Sequence, residues 1–401
     1  MICAAGRTAA ESWEAIAAGK SAIAPISLIP TERLNVRIAA EIKDFDPTAH
    51  FDRRGLAAMD RVSQLAVVAA REAMGSAGLD LDDDLAGRIH TIVGVGVGGM
   101  HAMDDSFRLL YGENRRPHPL SVPRLMVNAP ASHVSMDLGL RGLTYAIASA
   151  CASGTHAIGT AFHAVRSGAA PVALAGGAES CITVGTIAGW EALRVASSSG
   201  CRPFSRNRDG LVLGEGAAML VLEDLDRALA RGARIHAEIV GFGANADAAD
   251  LTSPNPASTE RAMRLAMADA GLGPADIDYV NAHGTGTTMN DTIEAEVLRA
   301  IFTDAPRPLV SSIKGAVGHG LGAAGAMEAV ITALALREQI APPTANCDDP
   351  DTGLGFDFVA DGARPTRLRH ALSNSFAFGG LNAVLALRHY DDDRDGTAPS
   401  A

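Results

Sequence analysis

A cysteine, two histidines, a lysine and a glutamate stand in settings that suit them for chemistry. Cys151 lies in TYAIASACASGTHAIGTAFHAVRSG, residues 144–168, which reads as a buried strand, an abrupt turn and a helix opening in small residues. A thiol at such a turn has free amide donors and the positive end of a helix beside it, and both favour the thiolate. The arrangement follows the logic of a nucleophile elbow with sulfur in place of oxygen. The same stretch also fits a small buried cysteine among alanines. His283 sits in NAHGTGTTMND and His319 in SSIKGAVGHGLGAAG, each in a Gly-rich loop after an apolar strand. A neutral imidazole in such a loop can donate or accept a hydrogen bond facing a site, although many loop histidines are structural. Lys314 and Glu328 complete an inventory of thiol, imidazoles, ammonium and carboxylate, the parts for covalent acyl transfer.

The elements that must carry these residues alternate between strand and helix. Met59, Val62, Leu65, Val67, Val68 and Met74 give residues 58–78 one apolar helical face. HTIVGVGVGG, residues 90–99, predicts a buried strand running into a Gly turn. It lacks the G-x-G-x-x-G frame and distal acid of a dinucleotide site. Residues 110–123 read as a loop and 128–138 as a small-residue helix. VALAGGAES and PLVSSIKG predict further strands, and residues 258–270 and 292–301 further helices. The turn-then-small-residue run at 375–383 echoes that at 150–161, so two similar αβ halves are expected. We divide them as residues 1–245, carrying the cysteine, and 246–401, carrying both histidines. The polar tail, residues 391–401, is expected to fray.

Composition narrows the function classes. Apolar residues make up 47% of the 401 and charged residues 20%, ordinary values for a folded chain with substantial cores. A formal charge of -12 and 4% aromatics argue against nucleic-acid binding, which needs a basic footprint. Cys3, Cys151, Cys181, Cys201 and Cys347 have no C-x-x-C spacing, so neither a zinc site nor a disulfide framework follows. A reducing, cytoplasmic setting is the simplest expectation. The N-terminus has no signal-like segment, and no run is long enough for a transmembrane span.

Taken together, SACASG, RPFSRNRDGLVLGEGA, NAHGTGTTMND, SSIKGAVGHGLGAAGAME and NSFAFGGLN make the chain resemble a known family. It is similar to the beta-ketoacyl-acyl-carrier-protein synthases, the elongating, type II-like condensing enzymes of the thiolase-like superfamily. The resemblance runs from about residue 11 to residue 389. It implies an α/β thiolase-like fold of duplicated, layered αβαβα halves with mixed five-stranded sheets. The implied reaction is decarboxylative Claisen condensation of a malonyl thioester with a cysteine-bound acyl chain. Cys151 matches the acylated nucleophile, and His283 and His319 match the paired histidines. Lys314 and Glu328 match supporting residues of the same site. Phe378 matches a gating residue whose amide, with that of Cys151, forms the oxyanion hole; Met103, Phe376 and Phe378 are assigned to the acyl pocket. No cofactor or metal is implied. The implied partners are an acyl carrier protein bearing acyl or malonyl phosphopantetheine thioesters and a second copy of the chain, the latter supported by the small-residue segment at 128–135.

Departures from the family pattern bear on these expectations. The chain begins almost at the first Gly turn, where the family has a preceding strand, so an altered sheet edge or a truncated start is expected. Leu381 replaces a threonine, and Ala377 a glycine, beside the gate. Ala57 and Ala58 stand where basic residues grip the carrier, leaving Arg53, Arg54, Arg61, Arg124, Arg202 and Arg206 as candidates. These differences admit a specialised type II polyketide or nodulation-factor-type ketosynthase as an alternative. A non-catalytic partner subunit of another ketosynthase is a further alternative, opposed by the intact Cys151, His283 and His319.

Overall fold

The computed structural model describes residues 1–391, so of the polar tail only Asp391 is included and the expected fraying lies outside the described residues. The first sheet is built from β1 (Ile2–Cys3), β2 (His90–Gly94), β3 (Thr144–Ile147), β4 (Val172–Glu179) and β5 (Gly216–Glu223), in the order β1-β5-β4-β2-β3. The second contains β6 (Glu238–Ala246), β7 (Tyr279–Asn281), β8 (Leu309–Ser311), β9 (His370–Ala377) and β10 (Leu381–Arg388), in the order β8-β7-β9-β10-β6. The strand senses match step for step. β2 is parallel to β3 and β4, while β5 is antiparallel to β4 and β1. β7 is likewise parallel to β8 and β9, while β10 is antiparallel to β9 and β6. The mixed five-stranded sheets and duplicated halves are as expected. The chain crosses between sheets after the helix Leu225–Ala230, so β6 already pairs in the second sheet from Glu238, ahead of the 245/246 junction read from sequence.

Helices make three further layers. α1 (Arg61–Ala77) covers the outer face of the first sheet, with Asp60 capping its N-terminus through Val62 N–H and Gly78 closing it at φ 58°. Next in the chain come α2 (Met100–Phe107), α3 (Ser153–Arg166) and α4 (Val184–Ala192). α5 (Pro256–Asp269) and α6 (Thr288–Ile301) cover the second sheet, and α7 (Ala324–Glu338) lies with α3 between the sheets. Burial explains the composition of α7, AGAMEAVITALALRE, which is apolar around most of its circumference because sheets face it on both sides. Ile331 and Leu336 are fully buried, each contributing about 1.5–3 kcal/mol. Glycines let α3 and α7 approach closely: a Cβ at Gly154 would lie 2.8 Å from Ala326 N, and one at Gly325 would lie 2.0 Å from Thr155 Oγ1. Thr155 Oγ1 in turn hydrogen-bonds Ser375 Oγ at 2.8 Å, joining α3 to the second sheet.

The edge strand of the first sheet is short. Ile2 and Cys3 pair with β5 on the side away from β4, opposite Ala217 and Gly216. Beyond them a groove of about 850 Å³ follows β5 past Leu220 and Leu222, bordered by Val330 and Leu334 of α7. It lies along the sheet edge and does not include Cys151 among its lining residues.

Candidate active site

The elbow at Cys151 is built by backbone strain and a small network. Ala150 adopts φ 49°, a left-handed conformation that a residue with a Cβ seldom takes, and the chain turns there from β3 into α3. Ser153 Oγ fixes the turn by donating to Ala150 O at 2.7 Å and accepting from Ser149 N at 2.9 Å. Cys151 is left buried at 6% exposure, among Leu34, Val36, Ile182, Leu213 and Leu321. The remaining cysteines are buried and unpaired as well.

His319 Nε2 lies 3.1 Å from Cys151 Sγ, while His319 Nδ1 accepts from Leu321 N at 3.3 Å. That amide can only donate, so in the neutral ring the proton sits on Nε2, facing the sulfur. The His283 tautomer is set the same way. Lys314 Nζ reaches His283 Nδ1 at 3.3 Å, His283 O, and the Glu328 carboxylate, which uses its three protons. His283 is therefore also an Nε2–H donor. The two rings stand edge to face, 5.4 Å apart, and Phe376 packs 6.0 Å from His283. Burial, with the Lys314 charge, holds both imidazoles well below their ordinary value, so they stay neutral.

The expectation of a ready thiolate needs correction. Burial pushes the Cys151 thiol up to about 12, against the lowering influence of Lys314 and of the Phe378 N–H directed at the sulfur. The desolvation cost of a buried anion exceeds what the helix end and these donors supply.

Motifs without chemistry of their own hold the histidine loops. Residues 211–216 run beside His319: its N–H donates to Val212 O at 2.7 Å and its carbonyl accepts from Gly214 N at 2.9 Å. Two buried acids on α6 anchor the other loop. Glu294 accepts from His283 N and Gly284 N, each at 2.8 Å, and Asp291 accepts from Gly286 N at 3.2 Å and Phe204 N at 2.8 Å. Glu179 spans the halves, accepting from Gly96 N at 2.7 Å and Gly322 N at 3.1 Å; burial pushes its carboxyl up to about 7. Sequence reasoning passed over these acids. For Asp291 and Glu294 a signal existed, since they fall on the same helical stripe as Ala295, Leu298 and Ile301.

The pocket assignments are placed unevenly. Phe378 is half-buried, next to Gly379 and Gly380 at φ 84° and 68°, and its ring stacks on Trp190 of α4 at 5.8 Å. Leu381 and Met100 pack against the cluster holding Cys151, whereas Met103, one turn further along α2, is half-buried outside it. Of the arginine candidates, Arg61 is committed to Glu215 at 2.7 Å, Arg202 pairs with Asp209 and Arg206 with Asp349. Arg53 and Arg54 are exposed. Among the described residues no His/Cys/Asp/Glu group could hold a metal, and no helix is long and apolar enough to cross a membrane.

Residues 1–228 match the family model "Beta-ketoacyl synthase, N-terminal domain" and residues 236–348 match "Beta-ketoacyl synthase, C-terminal domain". Nodulation protein E of Rhizobium sp. (strain N33) is 47% identical over 389 residues, 96% of each chain. The 3-oxoacyl-[acyl-carrier-protein] synthase 2 of Staphylococcus aureus (strain N315) is 41% identical over 395 residues, 96% of this chain and 95% of that one. The solved ishigamide ketosynthase/chain length factor superposes with a TM-score of 0.92 at 35% identity, covering 97% of both chains.

Proposed function

Since the chain belongs to the beta-ketoacyl synthase family, we propose that its Cys151, His283 and His319 carry out the two half-reactions of a decarboxylative acyl condensation. The protein is an acyltransferase of the 3-oxoacyl-[acyl-carrier-protein] synthase kind. The observation that carries the residue assignment is the pair of histidines fixed as Nε2–H donors, one of them 3.1 Å from the sulfur.

In the first half-reaction the Cys151 sulfur attacks the carbonyl carbon of an acyl thioester. The new S–C bond forms as the pantetheine sulfur leaves, carrying the proton that Cys151 gives up. The oxyanion rests on the N–H groups of Cys151 and Phe378. In the second, the malonyl C–C bond breaks to release carbon dioxide, and its electrons pass to an enolate held by His283 and His319 Nε2–H. The enolate carbon attacks the acyl-cysteine carbonyl, the S–C bond breaks, and the thiolate regains a proton from solvent. Two neutral donors suit this better than imidazolium would, because the enolate must remain basic enough to attack. Lys314 and Glu328 act on the tautomer of His283.

The acyl and malonyl groups arrive on an acyl carrier protein, as the name of the S. aureus relative implies for that enzyme. Exposed Arg53 and Arg54 are the candidate contacts for its acidic surface. A homodimer is in keeping with the open edge of β3 and with Leu143 and Met136, 58% and 66% exposed. A cytoplasmic setting agrees with five buried, free cysteines. A second reading, a synthase for specialised acyl chains, is favoured by Leu381 and the Trp190–Phe378 stack beside the sulfur, and by the nodulation relative. Intact mass spectrometry after exposure to a mixed pool of acyl carrier thioesters tests both readings. A single acyl adduct lost in Cys151→Ala is expected, and its chain identifies the pathway class. No adduct with any carrier would overturn the proposal.

A further inference from the structure

Resting on the acyl-transfer reading above, we propose that His101 is a positioning residue that sets which acyl chains Cys151 accepts, by pinning the first turn of α2. Met100, in that turn, packs on the cluster around Cys151, so its placement bears on the room left beside the sulfur. The turn cannot cap itself. Its N-cap is Gly99, which has no side chain to offer, and a Cβ there would lie 2.2 Å from Arg124 O. Two ties reach it from elsewhere in the chain.

The first is Asp60, which serves two helices at once. Its Oδ1 accepts from Val62 N of α1 at 3.2 Å, and its Oδ2 accepts from Ala102 N of α2 at 2.6 Å. The second is His101, whose Nε2 lies 3.2 Å from Ser180 Oγ, just past the end of β4. Ser180 is fully buried and donates its one proton to Glu215 Oε2 at 2.7 Å. Burial opposes the charge on Glu215, but Arg61 and Ser180 hold its carboxyl below the ordinary value, so it is an ionised acceptor. Its Oε1 also accepts from Ile42 N at 2.8 Å and Arg61 Nη2 at 2.7 Å. The Ser180 oxygen is therefore left to accept, and the proton between it and His101 belongs to Nε2. A directed line of donors thus runs from α2 to a buried carboxylate. It passes next to Cys181, a member of the Cys151 cluster. At its other end α2 runs into a π-helical turn, Arg108–Gly112, where Phe107 and Tyr111 are 53% and 80% exposed. The helix is held at the end that carries Met100 and sparsely packed at the other.

Competition for Cys151 tests this. Straight-chain acyl-acyl carrier proteins from butanoyl to hexadecanoyl are mixed in equal amounts, pulsed with the enzyme, and the adducts resolved by intact mass spectrometry. His101→Ala lets the turn retreat and should raise the ratio of longer to shorter adducts roughly twofold to tenfold, the range for one lost hydrogen bond. His101→Gln keeps an N–H donor in place of Nε2 and should restore the original ratio. Ser180→Ala should match His101→Ala, and the double variant should shift the ratio no further. Malonyl decarboxylation should be unchanged in His101→Ala, because Glu215 keeps its bonds to Arg61 and Ile42. An unchanged ratio in His101→Ala, a ratio that His101→Gln does not restore, or a fall in decarboxylation alongside the shift overturns the assignment. Absence of any Cys151 adduct in the unaltered protein instead overturns the parent reading, so the two failures are told apart.

Discussion

The two halves repeat the same order and sense of strands, yet they present different chemistry at equivalent places. Where β3 leads through the elbow into α3, the first half carries Cys151. Where β8 leads into α7, the second carries Lys314 and His319. The loop after β2 holds Gly96, which donates to Glu179, and the matching loop after β7 holds His283. A duplicated scaffold thus brings two sets of strand ends to one place, and the substitutions at those ends divide the labour. The nucleophile is on one side and the donors that stabilise the enolate are on the other.

That division can be broken by experiment. The largest effect should come from Cys151→Ala, which removes the acyl adduct and abolishes condensation. Malonyl decarboxylation should survive, and Cys151→Gln should keep or raise it; its loss in both variants would mean that the halves do not act separately. Lys314→Met leaves Glu328, whose Oε2 has no partner, buried without its cation, and should lower stability by about 3–5 kcal/mol in urea unfolding. Pairing it with Glu328→Leu should recover much of the loss. His283→Ala should slow decarboxylation roughly 10²–10³-fold, about 3–4 kcal/mol, while Cys151 still acylates. His319→Ala should impair both steps, because His319 also touches the sulfur.

Glu179 supplies the smallest effect. Its carboxyl, ordinarily titrating at 4.5, is pushed up to about 7, so the folded protein retains a proton that the unfolded chain releases. The stability it contributes is full below pH 4.5 and is lost as pH rises through about 7, a change of about 3 kcal/mol. Glu179→Gln should flatten that decline in melts compared at pH 5 and 8. An unaltered slope would show that the link between the loops of the two halves carries no such proton.

Much of this arrangement was legible in the residues themselves. Cys151 stands in a small-residue turn and both histidines in Gly-rich loops, each after an apolar strand, and local patterning exposes such turns. What could not be read depends on neighbours distant in sequence. The thiol's upward shift follows from burial by Leu34, Ile182 and Leu321, which are far from the elbow in the chain. Met100 and Met103 lie one turn apart on the same helix face, so the sequence pattern does not say which of them packs against the Cys151 cluster. Trp190 carries no motif, and its contact with Phe378 appears only when the β9–β10 hairpin is brought against α4.

Gly325 touches no substrate in the proposed mechanism, but a methyl group there would drive into Thr155 Oγ1 and pry at the hydroxyl pair Thr155–Ser375. Damage would be felt as misalignment rather than unfolding: sulfur and imidazoles sit on opposite sides of that seam. Lesions along it should therefore resemble active-site mutants in assays while leaving every reacting group in the chain. The interior contact between the central helices thus works as a gauge block for the site, and its tolerance is narrower than one carbon atom.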